Sequence, residues 1–324
     1  MEKDLTLAEI MSNNGYVTGL ACKWMAGGGP GLRVHDLPRH ADPEDLEILQ
    51  KIQENYAAAV GTVKRVGGFD YVHSLYANNV NWIQLNKLNR HNREWLNEGA
   101  KELIENNHED PFFLYYATTL PHGPNNKKSV KSDPRITPLG YVEGIEGGQP
   151  SRESVLKRTR ACGAPQGGFE AGYHVGATGL DDGVGAIIEK LEALNLRENT
   201  LIVFISDHQP RAKLTAYEGA RVPSSVSWPG KIEVSTEMDA TASSLDIMPT
   251  ILDACGIFEP EGVCLDGKSL LPLLTGQPVK NWRDSLLLKI AYTRVIVDEV
   301  GYKYMAWRLP QHLLKQQEQE KRFS

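Results

Sequence analysis

The chain has 324 residues, with 35 Lys and Arg against 41 Asp and Glu and a formal net charge of −6. Hydrophobic residues at 41% and charged residues at 23% exclude a disordered chain, which needs low hydrophobicity and high net charge. The mild acidity argues against a general nucleic-acid binder, and no apolar run approaches the roughly 18 residues of a membrane span.

That length suits two domains, or one large α/β domain with an appendage. The opening MEKDLTLAEIMSNNGY has no apolar h-region and does not read as a secretory signal. It reads as a helix over 4–14, with Leu5, Leu7, Ile10 and Met11 as its apolar stripe. YVTGLA (16–21) follows as a short strand. Residues 93–107 predict an amphipathic helix, with Trp95, Leu96, Leu103 and Ile104 near one face. FFLYYAT (112–118) is a nearly unbroken apolar run of strand length, the pattern of a central parallel strand buried on both faces.

Residues 125–170 are rich in Gly, Pro, Ser and Lys and predict a long irregular excursion with a short helix near 151–161. Excursions of this length inside compact domains tend to be functional or mobile. Residues 171–195 predict a long helix, with Ile187, Ile188, Leu191 and Leu194 at helical spacing. TLIVFIS (200–206) is the strongest strand, and 241–254 reads as a helix started or interrupted by Pro249. From 265 the texture changes to short strands at 285–290, 292–297 and 302–307, then a charged tail, KQQEQEKRFS, expected to be a solvated helix end or disordered. The expected division is an α/β domain over 1–264 and a small α+β subdomain over 265–324. None of the cysteines, Cys22, Cys162, Cys255 and Cys264, has C-x-x-C spacing, which argues against structural zinc. Cys255 and Cys264 can bridge in principle, and the compartment stays open.

Ligands of parallel α/β sheets bind beyond the carboxyl ends of strands, which directs attention to the residues after 118 and after 206. Asp207 and His208 follow the second strand directly. A carboxylate and an imidazole side by side on a loop can share one cation. Oxygen ligands suit Ca²⁺ or Mg²⁺, and an imidazole shifts the preference toward Zn²⁺ or Mn²⁺. Taken alone, the pair also reads as an Asp capping a turn beside an ordinary histidine. After the first strand comes LPHGP, where prolines on either side fix the backbone around His122. Such a histidine can donate to an anionic substrate or act as an acid, or it can decorate a rigid surface turn. Lys213 lies just before YEGARVP, and Lys23 lies in CKWMAGGGP. Either lysine alone is an ordinary surface charge. As a set beyond strand ends, these residues suit an anion such as sulfate or phosphate.

With these segments in order, the chain resembles the type I sulfatases, arylsulfatase-like members of the alkaline phosphatase superfamily. LTLAEIMSNNGYVTGLACKW (5–24) is similar to the family's helix and strand leading to Gly-Lys-Trp-His. PFFLYYATTLPHGP (111–124) resembles its strand and Pro-His-x-Pro loop, and residues 180–208 its long helix and the strand ending in Asp-Asn or Asp-His. YEGARVPSSVSWPG (217–230) resembles its Tyr-Glu-Gly-Gly-x-Arg-Val-Pro segment, and residues 244–256 and LDGKSLLPLLT (265–275) the segments that follow. The resemblance implies a mostly parallel central sheet flanked by helices, the alkaline phosphatase-like α/β fold in incomplete form. It further implies hydrolysis of a sulfate ester, on a small molecule or a sulfated glycan, at a Ca²⁺-dependent site. In the family the nucleophile is a formylglycine made from Cys or Ser. Carried over residue by residue, Asp207 and His208 would be metal ligands, with Zn²⁺, Mn²⁺ or Mg²⁺ as other possible ions. Lys23 and Lys213 would contact sulfate, with Lys23 also placed to stabilise the nucleophile. His122 would contact sulfate and assist departure of the leaving group. Members of the family are mostly secreted, periplasmic or lysosomal.

Several departures stand beside the match. The family's nucleophile motif, Cys/Ser-x-Pro-Ser-Arg, and two aspartate ligands belong before the helix at 4–14, where this chain starts. Residues 148–152 read Gly-Gln-Pro-Ser-Arg, but Gly148 stands where Cys or Ser must be, and the stretch follows the His122 loop in chain order. Met25 replaces the family's second active-site histidine, and a thioether cannot do its proton work. Gln209 and Pro210 follow the Asp-His pair where Gly is usual. Glu218-Gly219-Ala220-Arg221 is one residue short of its counterpart, and the chain stops soon after GYKYMAW. The expectation is a sulfatase by descent without turnover as this chain stands. The alternatives are a phosphatase or phosphonate hydrolase of the same superfamily, toward which His208 leans, and a non-catalytic pseudoenzyme or gene fragment. Specificity is expected to lie in 25–92 and 125–170.

Overall fold

The computed structural model describes residues 5–25, 32–145, 150–165, 167–168, 170–208 and 220–314. They divide into two compact units, Met1–Arg197 and Glu198–Ser324.

The first unit opens on α1 (Leu7–Asn13), begun by a capping box in which Thr6 Oγ1 accepts from Glu9 N at 3.1 Å and Glu9 Oε2 accepts from Thr6 N at 2.9 Å. Ala8, Ile10 and Met11 face the core, while Leu5, expected in the stripe, is exposed. Next come β1 (Val17–Lys23), α2 (Leu46–Gly67), β2 (Tyr71–Tyr76), α3 (Arg93–Asn106) and β3 (Phe112–Ala117). The strands form a parallel sheet in the order β2–β1–β3. The alternation of side chains across β1 explains the layers. Leu20 joins Ala59 and Val63 of α2 in one apolar cluster, whereas Gly19 lies against Leu103 of α3 on the other face. The helices thus cover both faces, as a parallel sheet requires.

The run 112–118 reads as the central strand, but among the described residues β1 is central and β3 is an edge, with Tyr115 49% exposed. Its apolar character has another cause: its aromatic rings pack on both faces. Tyr115 stacks on Phe69 at 6.4 Å, and the Tyr116 hydroxyl donates to Asn97 Oδ1 at 2.7 Å.

The excursion after β3 is more ordered than its composition suggests. It holds α4 (Asn126–Val130), a small hairpin of β4 (Ile136–Thr137) and β5 (Gly140–Tyr141), and α5 (Arg152–Ala161), before α6 (Glu170–Ala193). A buried charge network pins it down. Glu94 of α3 accepts from Arg93 at 3.0 Å and from Arg152 at 3.0 and 2.8 Å, and Asp182 of α6 accepts from Arg93 at 2.9 Å and Arg158 at 2.6 Å.

In the second unit, β6 (Ile202–Ile205) pairs antiparallel with β7 (Ser224–Ser227). Then come α7 (Ile247–Ala254), α8 (Leu271–Leu274) and an antiparallel meander of β8 (Ser285–Ile290), β9 (Thr293–Asp298) and β10 (Lys303–Trp307), at the positions expected from sequence. The expected boundary at 264/265 falls inside this unit, because hydrogen bonds cross it. Asp246 accepts from Lys268 N at 2.9 Å and from Arg283 at 2.6 Å through each terminal nitrogen, and Leu270 N donates to Thr250 Oγ1 at 2.8 Å. Cys162 and Cys264 are unbridged thiols. The tail 315–324 lies outside the described residues. Among the described residues, no helix is long and apolar enough to cross a membrane.

Gly267 shows how tightly the Asp246 junction is built. A Cβ there would lie 2.1 Å from the Leu245 carbonyl oxygen and 2.5 Å from its carbon, closer than backbone atoms tolerate. Gly267→Ala is therefore expected to destabilise the chain by about 1–3 kcal/mol through overpacking. A urea midpoint equal to wild type would show that the junction yields freely.

Candidate functional site

In the first unit the carboxyl ends of the parallel strands converge. Lys23 closes β1 level with Tyr76 of β2, and Trp24 N donates to the Tyr76 carbonyl at 2.9 Å. Asn79 follows β2, and the loop carrying His122 follows β3. His122 is exposed. Its Nδ1 contacts its neighbour Gly123's carbonyl oxygen, which can only accept, so Nδ1 holds the proton of the neutral ring. Nε2 is then the basic atom, 3.5 Å from Asn79 Nδ2, a long contact. The available proton site of His122 therefore faces the side where β2 ends.

His91, just before α3, completes this group. It is buried, with Nδ1 2.8 Å from Thr119 Oγ1 and Nε2 2.8 Å from the Pro124 carbonyl oxygen. Burial pushes its titration down to about 4, against the raising effect of the Pro124 hydrogen bond, and positive charge on His122 and Lys23 lowers it further. Lys23 and His122 thus lie within electrostatic reach of one buried ring. Two more contacts hold the loop. Asn126 Nδ2 donates to the Pro121 carbonyl at 2.9 Å, and α6 comes so close at Gly176 that a Cβ would sit 2.9 Å from Pro121 Cα. Asn126, whose Oδ1 has no partner among the described residues, lines a cavity of about 30 Å³ with His91, Leu120 and Gly176. That is room for one water molecule.

Lys23 and His122 both stand at carboxyl ends of the parallel strands, and each acts electrostatically on His91. Lys213, together with Gln209, Pro210, Glu218 and Gly219, lies outside the described residues. In the second unit, Asp207 and His208 follow β6; Asp207 Oδ1 accepts from His208 N at 3.0 Å, and Asp207 Oδ2 lies 3.3 Å from His208 Nε2. That separation fits two ligands on one cation. Among the described residues, no third His, Cys, Asp or Glu joins them to form a metal-holding group.

Asn79, His91, Thr119 and Asn126 were not singled out by sequence. YVHSLY (71–76) carries the signal for Asn79: read as a strand, it places the following asparagines at a carboxyl end. His91 has no comparable signal, since nothing in Arg-His-Asn before a helix indicates that both ring nitrogens meet a distant loop. Two motif-like arrangements resolve structurally. Gly148 and Gln149 lie outside the described residues, but Ser151 caps α5 by accepting from Ser154 N at 3.2 Å, and Arg152 is committed to Glu94. Ser74, His73 and Glu102 mimic a hydrolase triad, yet Ser74 is fully buried and its hydroxyl donates to the Trp95 carbonyl at 2.5 Å.

Comparison with known proteins adds an independent finding. The profile of the Sulfatase family matches residues 1–257, and that of the N-sulphoglucosamine sulphohydrolase C-terminal region matches residues 211–316. The uncharacterized sulfatase YdeN of Escherichia coli strain K12 is 26% identical over 309 residues, covering 85% of this chain and 48% of its own length. Arylsulfatase A of Homo sapiens is 27% identical over 315 residues, covering 90% of this chain and 55% of its own. This chain spans about half the length of these curated relatives. The solved structure of BT4656 in complex with its substrate D-glucosamine-2-N,6-O-disulfate has a TM-score of 0.53 at 15% identity, covering 95% of this chain and 76% of that one. At that identity the likeness is one of fold.

Proposed function

Because the chain belongs to the sulfatase family, we propose that it binds the sulfate group of a sulfate ester, on a small molecule or a sulfated glycan, at the strand ends occupied by Lys23 and His122. The observation that carries this reading is that a lysine at the carboxyl end of β1 and a histidine on the loop after β3 both act on one buried ring, His91, with that loop held from behind by buried contacts. The Lys23 ammonium supplies fixed positive charge for the sulfate oxygens. His122, protonated at Nε2, adds a charged donor to the sulfate oxygens; assistance to a departing alcohol would further need a nucleophile to attack the sulfur. Lys213 is proposed as a second sulfate contact.

Sulfatases generally use a divalent metal. Asp207 and His208 are proposed as two of its ligands, with Ca²⁺ the family's ion and Zn²⁺, Mn²⁺ or Mg²⁺ the others that an Asp–His pair suits. When bound, such an ion would supply Lewis-acid positive charge for an oxyanion. Turnover in the family also needs a nucleophile made from Cys/Ser-x-Pro-Ser-Arg, and the 324 residues hold no such motif. Covalent catalysis fails outright without its nucleophile. The proposal is therefore recognition of sulfate esters without hydrolysis by this chain alone.

A sulfated monosaccharide is the first ligand to try, because the matched solved structure holds a glucosamine disulfate. The test titrates the purified chain with glucosamine 6-sulfate and inorganic sulfate, with inorganic phosphate in parallel, and assays an aryl sulfate with Ca²⁺. The expected result is sulfate-dependent binding lost in Lys23→Ala and His122→Ala, with no aryl sulfate hydrolysed. Hydrolysis abolished by His122→Ala would overturn the inactivity, and phosphate bound in strong preference to sulfate would favour the phosphatase branch.

A further inference from the structure

The His122 loop is closed by a single buried side chain. His91 is 5% exposed and touches both ends of the loop, Thr119 through Nδ1 and Pro124 through Nε2, each at 2.8 Å. The chemistry of the partners fixes the ring's state. The Pro124 carbonyl only accepts, so Nε2 must carry the proton. Nδ1 is then a bare acceptor and takes the hydrogen of the Thr119 hydroxyl, itself 2% exposed. A neutral imidazole satisfies both contacts at once. An imidazolium would turn Nδ1 into a donor and force the Thr119 hydroxyl to find a new acceptor in a buried setting.

We propose that His91 is a positioning residue for the anion site: as a neutral Nε2–H imidazole it staples residue 119 to residue 124 and so fixes where His122 presents its own ring. This role rests on the reading of His122 as a sulfate contact. The charges around His91 are compatible with it. Lys23 from β1 and His122 from the loop both oppose a further positive charge on the ring. Arg93, Glu94 and Arg152, which line the same cavity, are engaged by the ion pairs of the buried network, Arg93 with both Glu94 and Asp182 and Arg152 with Glu94. Lysine or arginine at position 91 could donate to Pro124 but could not accept from Thr119, whereas the amide of glutamine offers both functions.

The test uses the full chain, labelled with ¹⁵N-histidine and titrated with inorganic sulfate while the His122 ring resonances are followed. His91 is expected to show the Nε2–H tautomer from pH 6 to 8. His91→Phe keeps the ring bulk but neither hydrogen bond, and is expected to weaken sulfate about tenfold, equivalent to about 1.4 kcal/mol. His91→Gln is expected to restore binding to near wild type, which recovery of packing alone would not do. Thr119→Val, which leaves the Pro124 contact in place, should weaken sulfate by a smaller factor and keeps the test open if His91→Phe does not fold. Wild-type binding retained in His91→Phe or, should that variant not fold, in Thr119→Val overturns the positioning role alone; so does an Nδ1–H or charged His91 at pH 7. A wild-type chain in which sulfate moves no His122 resonance overturns the anion-site reading, and the positioning role with it.

Discussion

Replacing Glu94 with Ala is expected to destabilise the chain by about 3–5 kcal/mol, the cost typical of removing one partner from a buried ion pair. Glu94 is 4% exposed and is the acceptor shared by Arg93 and Arg152. Without it, the buried guanidinium of Arg93 and the largely buried one of Arg152 lose their shared anion. Burial alone would raise the Glu94 carboxyl, but the hydrogen bonds and charge of Arg152, aided by Arg93, outweigh it and hold the group below its ordinary range. A depressed folded-state pKa gives stability that is present above the unfolded value and is lost as pH falls through the folded one. The pair should therefore weaken only in acid, below the ordinary carboxylate range. Urea unfolding at pH 7 and pH 3 checks both parts. Because each half of the network relies on the other, Glu94→Ala and Arg152→Ala should be strongly non-additive. A Glu94→Ala cost under about 1 kcal/mol would mean that the arginines find other acceptors or water.

The second large effect is expected at Asp246, which has no exposed surface. Its carboxylate accepts from both terminal nitrogens of Arg283 and from the backbone of Lys268 and Ser243, the last at 2.7 Å. Here too burial would raise the carboxyl, and those hydrogen bonds override it. Asp246→Ala removes at once the anchor of the segment before α7, the turn at 268 and the arginine at 283, with an expected loss of about 3–5 kcal/mol. Asp246→Asn keeps acceptor capacity but loses the charge, and should fall between the two. Hydrogen exchange offers the local readout. The amides of Lys268 and Leu270 should lose protection in the Ala variant before those of β8 and β9, and uniform protection would contradict the anchoring role.

Much of the α/β pattern was legible from periodicity. The amphipathic α3, the long α6 and the β8–β10 meander fall where apolar spacing places them. α2 and β2 escaped notice, although Asp45, whose carboxylate accepts from Glu47 and Ile48 N–H groups, and the spacing of Ile52, Ala59 and Val63 were available signals. Among the described residues β1 rather than β3 is central, and the reason the run 112–118 reads otherwise is clear. An edge strand that packs aromatic rings on both faces has the same composition as a central one, and only the partner list separates them. The strand-end positions of proline-flanked His122 and of Lys23 were readable because the rule that places them is local. His91 was not, because its role lies in contacts across about 30 residues that no local pattern encodes, and Asn126 was not, because its bond back to Pro121 leaves no mark in composition or periodicity.

Gly176 carries a one-sided constraint. Hydrogen is the smallest side chain available, and α6 already rests against the backbone of Pro121 there. Every substitution at this position pushes in a single direction, driving helix and loop apart, and none can draw them closer. The placement of His122 is thus set at its inner limit by the absence of a side chain. Variation in this helix would be felt as outward displacement of His122, the sulfate contact proposed above.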